Sequence, residues 1–393
     1  MSLLNGLKVL DFSTLLPGPY ASLMLADMGA DVLRVESPTR PDLVRALPPK
    51  DASGESAAQS YLNRGKKVIA LDLKKPEAVE IVKQLVNEYD IVLEQFRPGV
   101  MARLGLGYED LKKINPKLIY CSITGYGQTG PFKDRAGHDI NYLALSGVAD
   151  YSRRANEKPV PQGVQIADIA GGSHHAIMGI MAAVINRNNH QQGQYLDISM
   201  TDCAYSLNAM FGAGYLGGNV EPTAEGNMLN GGSFYDYYET QDGRFMSVGS
   251  IEPQFLMQLC STMNLSHLAG QAASPDPKLA NEFKQALTDA FLANSFQHWC
   301  EVFAQLDCCV EPVLTFSEAS QQENAIQRGW VTQVNTGAEN NQHRVKQMAN
   351  PIDKSATPQF TGAKLGAHSA EILQSLGYNA DAIANLQAIK AVK

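Results

Sequence analysis

Between Lys8 and Ser122 the chain alternates short apolar runs with amphipathic stretches, and this alternation restricts its possible folds more than any other feature. Lys8-Val9-Leu10-Asp11-Phe12, Asp31-Val32-Leu33-Arg34-Val35, Lys67-Val68-Ile69-Ala70-Leu71, Ile91-Val92-Leu93-Glu94 and Leu118-Ile119-Tyr120-Cys121-Ser122 read as strands. Pro17 to Met28 reads as a helix stopped by Gly29. Pro76 to Tyr89 is a clearer helix, with Val79, Ile81, Val82, Leu85 and Val86 spaced between charges, and Tyr108 to Ile114 is another. Repeated βα units predict an α/β fold: a Rossmann-like domain whose mostly parallel sheet is covered by helices.

Beyond residue 160 the spacing predicts a long helix from near Asp168 to Arg187, a strand over Gly193 to Met200 and a helix over Asp202 to Phe211. The pattern then changes. Ser233 to Thr240 and Arg244 to Val248 flank Asp242-Gly243, which supplies the turn of a β-hairpin. Helices are expected around Pro253–Met263, Asp276–Ala293 and Phe296–Leu306. The chain thus divides into a large domain over 1–224 and a smaller α+β domain over 225–325. Residues 326–393, which end in a short helix from Ala380 to Val392, return to the large domain.

Composition narrows the function. The 393 residues carry 32 basic and 40 acidic side chains, a net charge of −8, which argues against a dedicated nucleic-acid binder but leaves room for a local basic pocket. The first residues show no basic segment followed by an apolar core, and Ala176 to Ile185 is too short to span a bilayer. The six cysteines are scattered with no CxxC pair, as expected of reduced thiols in a cytoplasmic protein. No histidine stands in an HExxH spacing or near a cysteine pair, so no metal site is expected.

One motif invites a wrong reading. Gly125-Tyr126-Gly127-Gln128-Thr129-Gly130 matches the dinucleotide pattern GxGxxG, but it follows several strands and precedes Pro131-Phe132-Lys133-Asp134, a poor helix opening. A loop lining a cleft is the better reading. Just after it, Gly137-His138-Asp139 places a histidine and an acid at the start of an apolar segment, and Asp168 opens a second one, Ala167-Asp168-Ile169-Ala170-Gly171-Gly172. A His and an Asp at the mouths of two segments suit proton transfer to two faces of one carbon. Either acid is equally suited to capping a helix. The Asp139 backbone N–H, at a helix N-terminus, could hold a developing oxyanion. Glu252 follows the hairpin directly, where an ordinary loop acid is also expected. Arg97 stands just past a strand end, the edge where open α/β sheets bind ligands, and suits a phosphate. Arg40, Arg64, Lys66, Lys67 and Lys74 could add positive charge at that edge.

Together these segments resemble the family III CoA-transferase superfamily, which includes L-carnitine CoA-transferase, bile-acid-inducible proteins and formyl-CoA transferase. The resemblance runs nearly the whole length, through Leu7 to Phe12, Pro17-Gly18-Pro19, Gly29 to Val32, Arg97-Pro98-Gly99-Val100, Leu104-Gly105-Leu106-Gly107 and Thr124 to Pro131. Gly137 to Tyr142, Gly226-Asn227-Met228-Leu229-Asn230-Gly231-Gly232 and Val248 to Phe255 look specific to the α-methylacyl-CoA racemase branch. The chain departs from that branch at Asn230, where an Asp is usual, and at Gly163 to Ile166, where Leu-Asn-Leu precedes the acid.

The resemblance implies that His138 and Asp168 are two catalytic bases, with Glu252 pairing the histidine and Asp139 beside it. It implies CoA binding by Arg40, Ala70, Leu71, Asp72, Arg97 and Tyr126. It also implies an interlocked homodimer in which Glu252 reaches His138 of the other chain. The substrate would be a 2-methylacyl-CoA, with CoA part of the substrate and no other cofactor required. Transferases of the superfamily use the acid matching Asp168 as a nucleophile and generally lack the histidine. Three functions follow: racemisation, CoA transfer between acids through an Asp168 acyl anhydride, or acyl-CoA binding without turnover.

Overall fold

The computed structural model describes residues 2–336, 343–354 and 360–393. Two compact units emerge from it: residues 1–146, 162–207 and 323–393 form the first, and 147–161 with 208–322 form the second.

The first unit is built on six parallel strands, β1 (Lys8–Asp11), β2 (Asp31–Glu36), β3 (Lys67–Ala70), β4 (Ile91–Glu94), β5 (Ile119–Thr124) and β6 (Gln194–Ser199), in the order β3-β2-β1-β4-β5-β6. The expected parallel α/β sheet is therefore present. Strands β1 to β5 are almost wholly buried, as expected of a sheet covered by helices, whereas the edge strand β6 is partly exposed. The helix Pro76–Val86 buries Ala78, Ile81, Val82, Leu85 and Val86, each large one worth about 1.5–3 kcal/mol. The C-terminal segment closes the far edge: Asp72 donates its N–H to Ala391 O at 2.9 Å, and Lys393 donates to Ala70 O at 3.1 Å. The strand order reverses between β1 and β4, which opens a crevice beyond their carboxyl ends.

The second unit holds the antiparallel strands β7 (Asp236–Glu239), β8 (Phe245–Val248) and β9 (Val310–Pro312), with the helices Pro253–Thr262, Pro277–Leu292 and Phe296–Phe303. The expected hairpin forms, with Gly243 at φ 74° completing the turn after Asp242. Its core gathers Phe234, Tyr238, Met246, Phe283, Leu287, Phe291 and Trp299, and the Trp299 indole N–H donates to Phe291 O at 2.8 Å. Residues 147–161 join this unit through Arg154, which bridges Asp236 at 2.7 Å and Glu225 at 2.9 Å.

Two sequence expectations are revised. The helix expected from Asp168 to Arg187 is π-helical over Ala167–His174 and α-helical over His175–His190. The helix expected over Asp202–Phe211 is two, Met200–Ser206 and Phe211–Gly218, broken where the chain passes from one unit to the other.

Candidate active site

A cavity of about 420 Å³ lies at the carboxyl ends of the first unit's strands. Leu15 and Pro17 reach it from the segment after β1, Gln95 to Pro98 from the segment after β4, and Thr124 and Gly125 from the end of β5. This is the switch-point crevice that the strand order predicts. His138, Asp168 and Arg97 all line it, so three residues far apart in sequence share one space. Lys133 and Arg135 line it as well, and with Arg97 they make a locally cationic wall on a chain of net charge −8. The Arg135 guanidinium lies 3.8 Å from the Phe132 ring centroid, a cation–π contact on this wall.

The glycine-rich loop after β5 leads into no helix until Asp139–Leu145, so it is a wall of the cavity rather than a dinucleotide cradle. Tyr142 explains its tightness. The phenol donates to Gly137 O at 2.6 Å, and a Cβ at Gly137 would stand 2.6 Å from the Tyr126 hydroxyl. His138 is the cap residue of that helix, exposed to solvent, and its backbone N–H donates to Asn141 Oδ1 at 3.0 Å.

Asp168 sits at the start of the π-helix, a form concentrated at functional sites. Its backbone N–H donates to Asp139 Oδ1 at 3.0 Å. Burial, and secondarily the Asp139 charge, pushes the Asp168 carboxyl up to about 7. The buried Ser173 hydroxyl lies 2.6 Å from Pro17 O and 3.2 Å from Asp168 O, and it ties this turn to the cavity wall. At Gly172 a Cβ would meet Pro17 Cβ and Met200 Cγ at 3.1 Å, so a larger residue would press on two lining residues. Opposite, Leu15 adopts φ 62°, a left-handed conformation that is unfavourable for a bulky side chain. Its N–H donates to Asp42 Oδ2 at 3.0 Å, and the same carboxylate pairs with the fully buried Arg34.

Other expected site residues are placed differently. Arg40 is exposed and outside the cavity lining. Ala70 and Leu71 are fully buried, and their amides go to Ser369 Oγ and Glu36 O, while Asp72 is half-buried and outside the cavity lining. Tyr126 packs edge-on against Tyr142 at 5.3 Å behind the lining. Glu252 belongs to the second unit, where it is exposed at the start of Pro253–Thr262. The expectation that Arg64 and Lys66 add positive charge at the sheet edge is corrected. Arg64 is buried against Asp27 at 2.5 Å. Lys66 is buried beside Asp11 at 3.5 Å, and burial pulls it down to about 8. Both neutralise acids inside the protein. Among the described residues no group of three or more His, Cys, Asp or Glu could hold a metal ion, and no helix is long and apolar enough to cross a membrane.

Sequence reasoning passed over Lys133, Arg135, Gln95 and Ser173. For the two cations the signal was available, since they stand within five residues of His138 in the loop judged to line a cleft.

Comparison with known proteins agrees with this architecture. The chain is 36% identical to the α-methylacyl-CoA racemase of Mus musculus, over 99% of its own length and 97% of that protein's. It is 33% identical to the succinate–glutarate CoA-transferase of Agrobacterium fabrum, over 95% of each chain. A crystal structure of a CAIB/BAIF family protein from Brucella suis superposes with a TM-score of 0.81 at 30% identity, covering 95% of this chain and 99% of that one. The family model for CoA-transferase family III matches residues 4–369, and with that extent of agreement across both units the chain belongs to CoA-transferase family III.

Proposed function

We propose that the protein is a racemase of 2-methylacyl-CoA thioesters that moves one proton between the two faces of the α-carbon. The observation that carries this reading is that His138 and Asp168 line one cavity while the Asp168 carboxyl sits near neutrality. The α-hydrogen of a thioester is weakly acidic, so a base must take it as the enolate oxygen is stabilised. One of the pair removes the proton to give an enolate, and the other delivers a proton to the opposite face. A carboxyl at about 7 is a far better proton carrier than an ordinary aspartate. The Asp139 N–H, first in its helix and without an intrahelical acceptor, supports the enolate oxygen. Arg97, Lys133 and Arg135 suit the phosphates of CoA, whose remote binding orients the acyl group. Glu252 would orient His138, and a homodimer would supply it from the partner.

A second reading, CoA transfer between carboxylic acids, has support from the succinate–glutarate CoA-transferase. There the Asp168 carboxylate attacks the thioester and CoA thiolate leaves, forming a mixed anhydride. A carboxyl near 7 is half ionised at neutral pH and serves either reaction; what favours proton transfer is that His138 shares the cavity with Asp168. The test is deuterium uptake from deuterium oxide into one enantiomer of a 2-methylacyl-CoA. Exchange with inversion, reduced about 10²–10⁴-fold in both His138→Ala and Asp168→Asn, is expected. CoA transfer to an added acid, without exchange and surviving His138→Ala, overturns the racemase reading.

A further inference from the structure

The proposed chemistry leaves one polar side chain beside His138 unused. Asn141 is third in the helix Asp139–Leu145 that His138 caps, is exposed, and lines the same cavity as His138 and Asp168. Its Oδ1 accepts the His138 backbone N–H at 3.0 Å. Because that partner is a donor, the orientation of the amide is settled: oxygen meets the backbone, and the NH2 is the end left over. Among the described residues Nδ2 has no hydrogen-bond partner. The other uncharged polar side chains of the lining are engaged. Tyr142 donates its hydroxyl to Gly137 O, and Thr124 Oγ1 accepts the Gly127 N–H. Gln95 Oε1 takes the Gly18 N–H at 3.0 Å on the wall that carries Arg97. Of these residues, Asn141 alone combines a place in the His138 turn with an unspent donor.

We propose that Asn141 is a further catalytic residue: its Nδ2 donates a hydrogen bond to the thioester carbonyl oxygen, and that bond strengthens as the oxygen becomes an enolate. This rests on the racemase reading above. When the base takes the α-proton, the C–H electron pair becomes the C–C π bond and the carbonyl π pair moves onto oxygen. Nδ2 keeps its proton throughout, and the second base returns a proton to carbon as the charge leaves oxygen. The oxygen lies two bonds from the carbon that His138 serves, so a donor three residues on, on the same helical face, is suited to reach it. A carbonyl oxygen has two lone pairs, which leaves room for this donor beside the Asp139 N–H. The tie from Oδ1 to the His138 backbone holds donor and base together before substrate arrives, the condition under which such a donor lowers a barrier.

The test compares wild type, Asn141→Ala and Asn141→Asp in deuterium exchange at the α-carbon of a 2-methylacyl-CoA. Asn141→Ala removes both ends of the amide, whereas Asn141→Asp keeps an oxygen for the His138 N–H and loses only the donor. Exchange should slow by about 10²-fold in both variants, with KM changed by less than about threefold. An S-alkyl coenzyme A, a thioether without the carbonyl oxygen, serves as the control ligand. By calorimetry it should bind wild type and Asn141→Ala within about twofold of each other, because the proposed contact is to the missing oxygen. Recovery of near wild-type exchange by Asn141→Asp shows that Asn141 only holds the cap, and overturns the inference alone. Unchanged exchange in Asn141→Ala, or thioether binding lost in step with exchange, does the same. Absence of exchange in wild type overturns the racemase reading and this inference with it.

Discussion

The Asp139 carboxylate accepts the backbone N–H of Asp168 at 3.0 Å, so one acid anchors the other's main chain while its charge opposes the other's ionisation. Asp139→Asn separates these effects, because the amide oxygen still accepts the hydrogen bond. The Asp168 carboxyl should then titrate lower. Since burial is the larger cause and persists, the acidic limb of the pH–rate profile should move down by about one unit or less, with a several-fold slower exchange. A pH profile of deuterium exchange measures both.

Asp168→Asn should stabilise the protein as it removes activity. The folded carboxyl titrates at about 7 against an ordinary 3.8, so the native state keeps its proton to higher pH than the unfolded chain. Stability therefore falls as pH rises from about 4 to 7 and stays lowered above. Allowing for partial exposure, the gain in the variant is ~2 kcal/mol at pH 8 and small at pH 4, read by denaturant unfolding at the two values.

Ser173→Ala removes a buried hydroxyl held between Pro17 O and Asp168 O. The loss should be about 1–2 kcal/mol of stability. Because the bond fixes the π-helical turn against the wall, kcat should fall more than KM changes, which steady-state kinetics will show.

Asn230 explains its own departure from the aspartate usual in related racemases. Its amide donates to Tyr151 O at 3.1 Å and Thr223 O at 2.9 Å, while its oxygen accepts the Asn227 N–H. A carboxylate cannot donate. Asn230→Asp should lower the melting temperature of the second unit, at a cost of ~2 kcal/mol, in a thermal scan at pH 8.

Arg135→Gln, in the cationic wall, should weaken coenzyme A binding by about tenfold and flatten its dependence on salt. Titration at low and high ionic strength checks this without turnover.

The parallel sheet was legible because β-strand runs such as Ile91–Glu94 are bounded by helix signals, and periodicity reports local structure directly. His138, Asp168 and Arg97 were legible as candidates because each stands at a segment end. What was hidden depends on partners distant in sequence. Nothing local announces that Arg64 meets Asp27 or that Lys66 meets Asp11, so both read as surface charge. The π-helix was hidden for another reason. A few glycine-rich residues, Ala167 to His174, carry too little apolar spacing to tell a wide turn from an ordinary one.

Leu15 has one more implication, for anyone wishing to change what the cavity accepts. Most enlargements of a binding site sacrifice packing and hence fitness. Here the wall residue sits in a backbone conformation that glycine adopts freely, and the buried Asp42–Arg34 pair holds that conformation regardless of side chain. Leu15→Gly thus relieves strain while opening space, which makes this position a natural starting point for engineering tolerance of bulkier acyl groups.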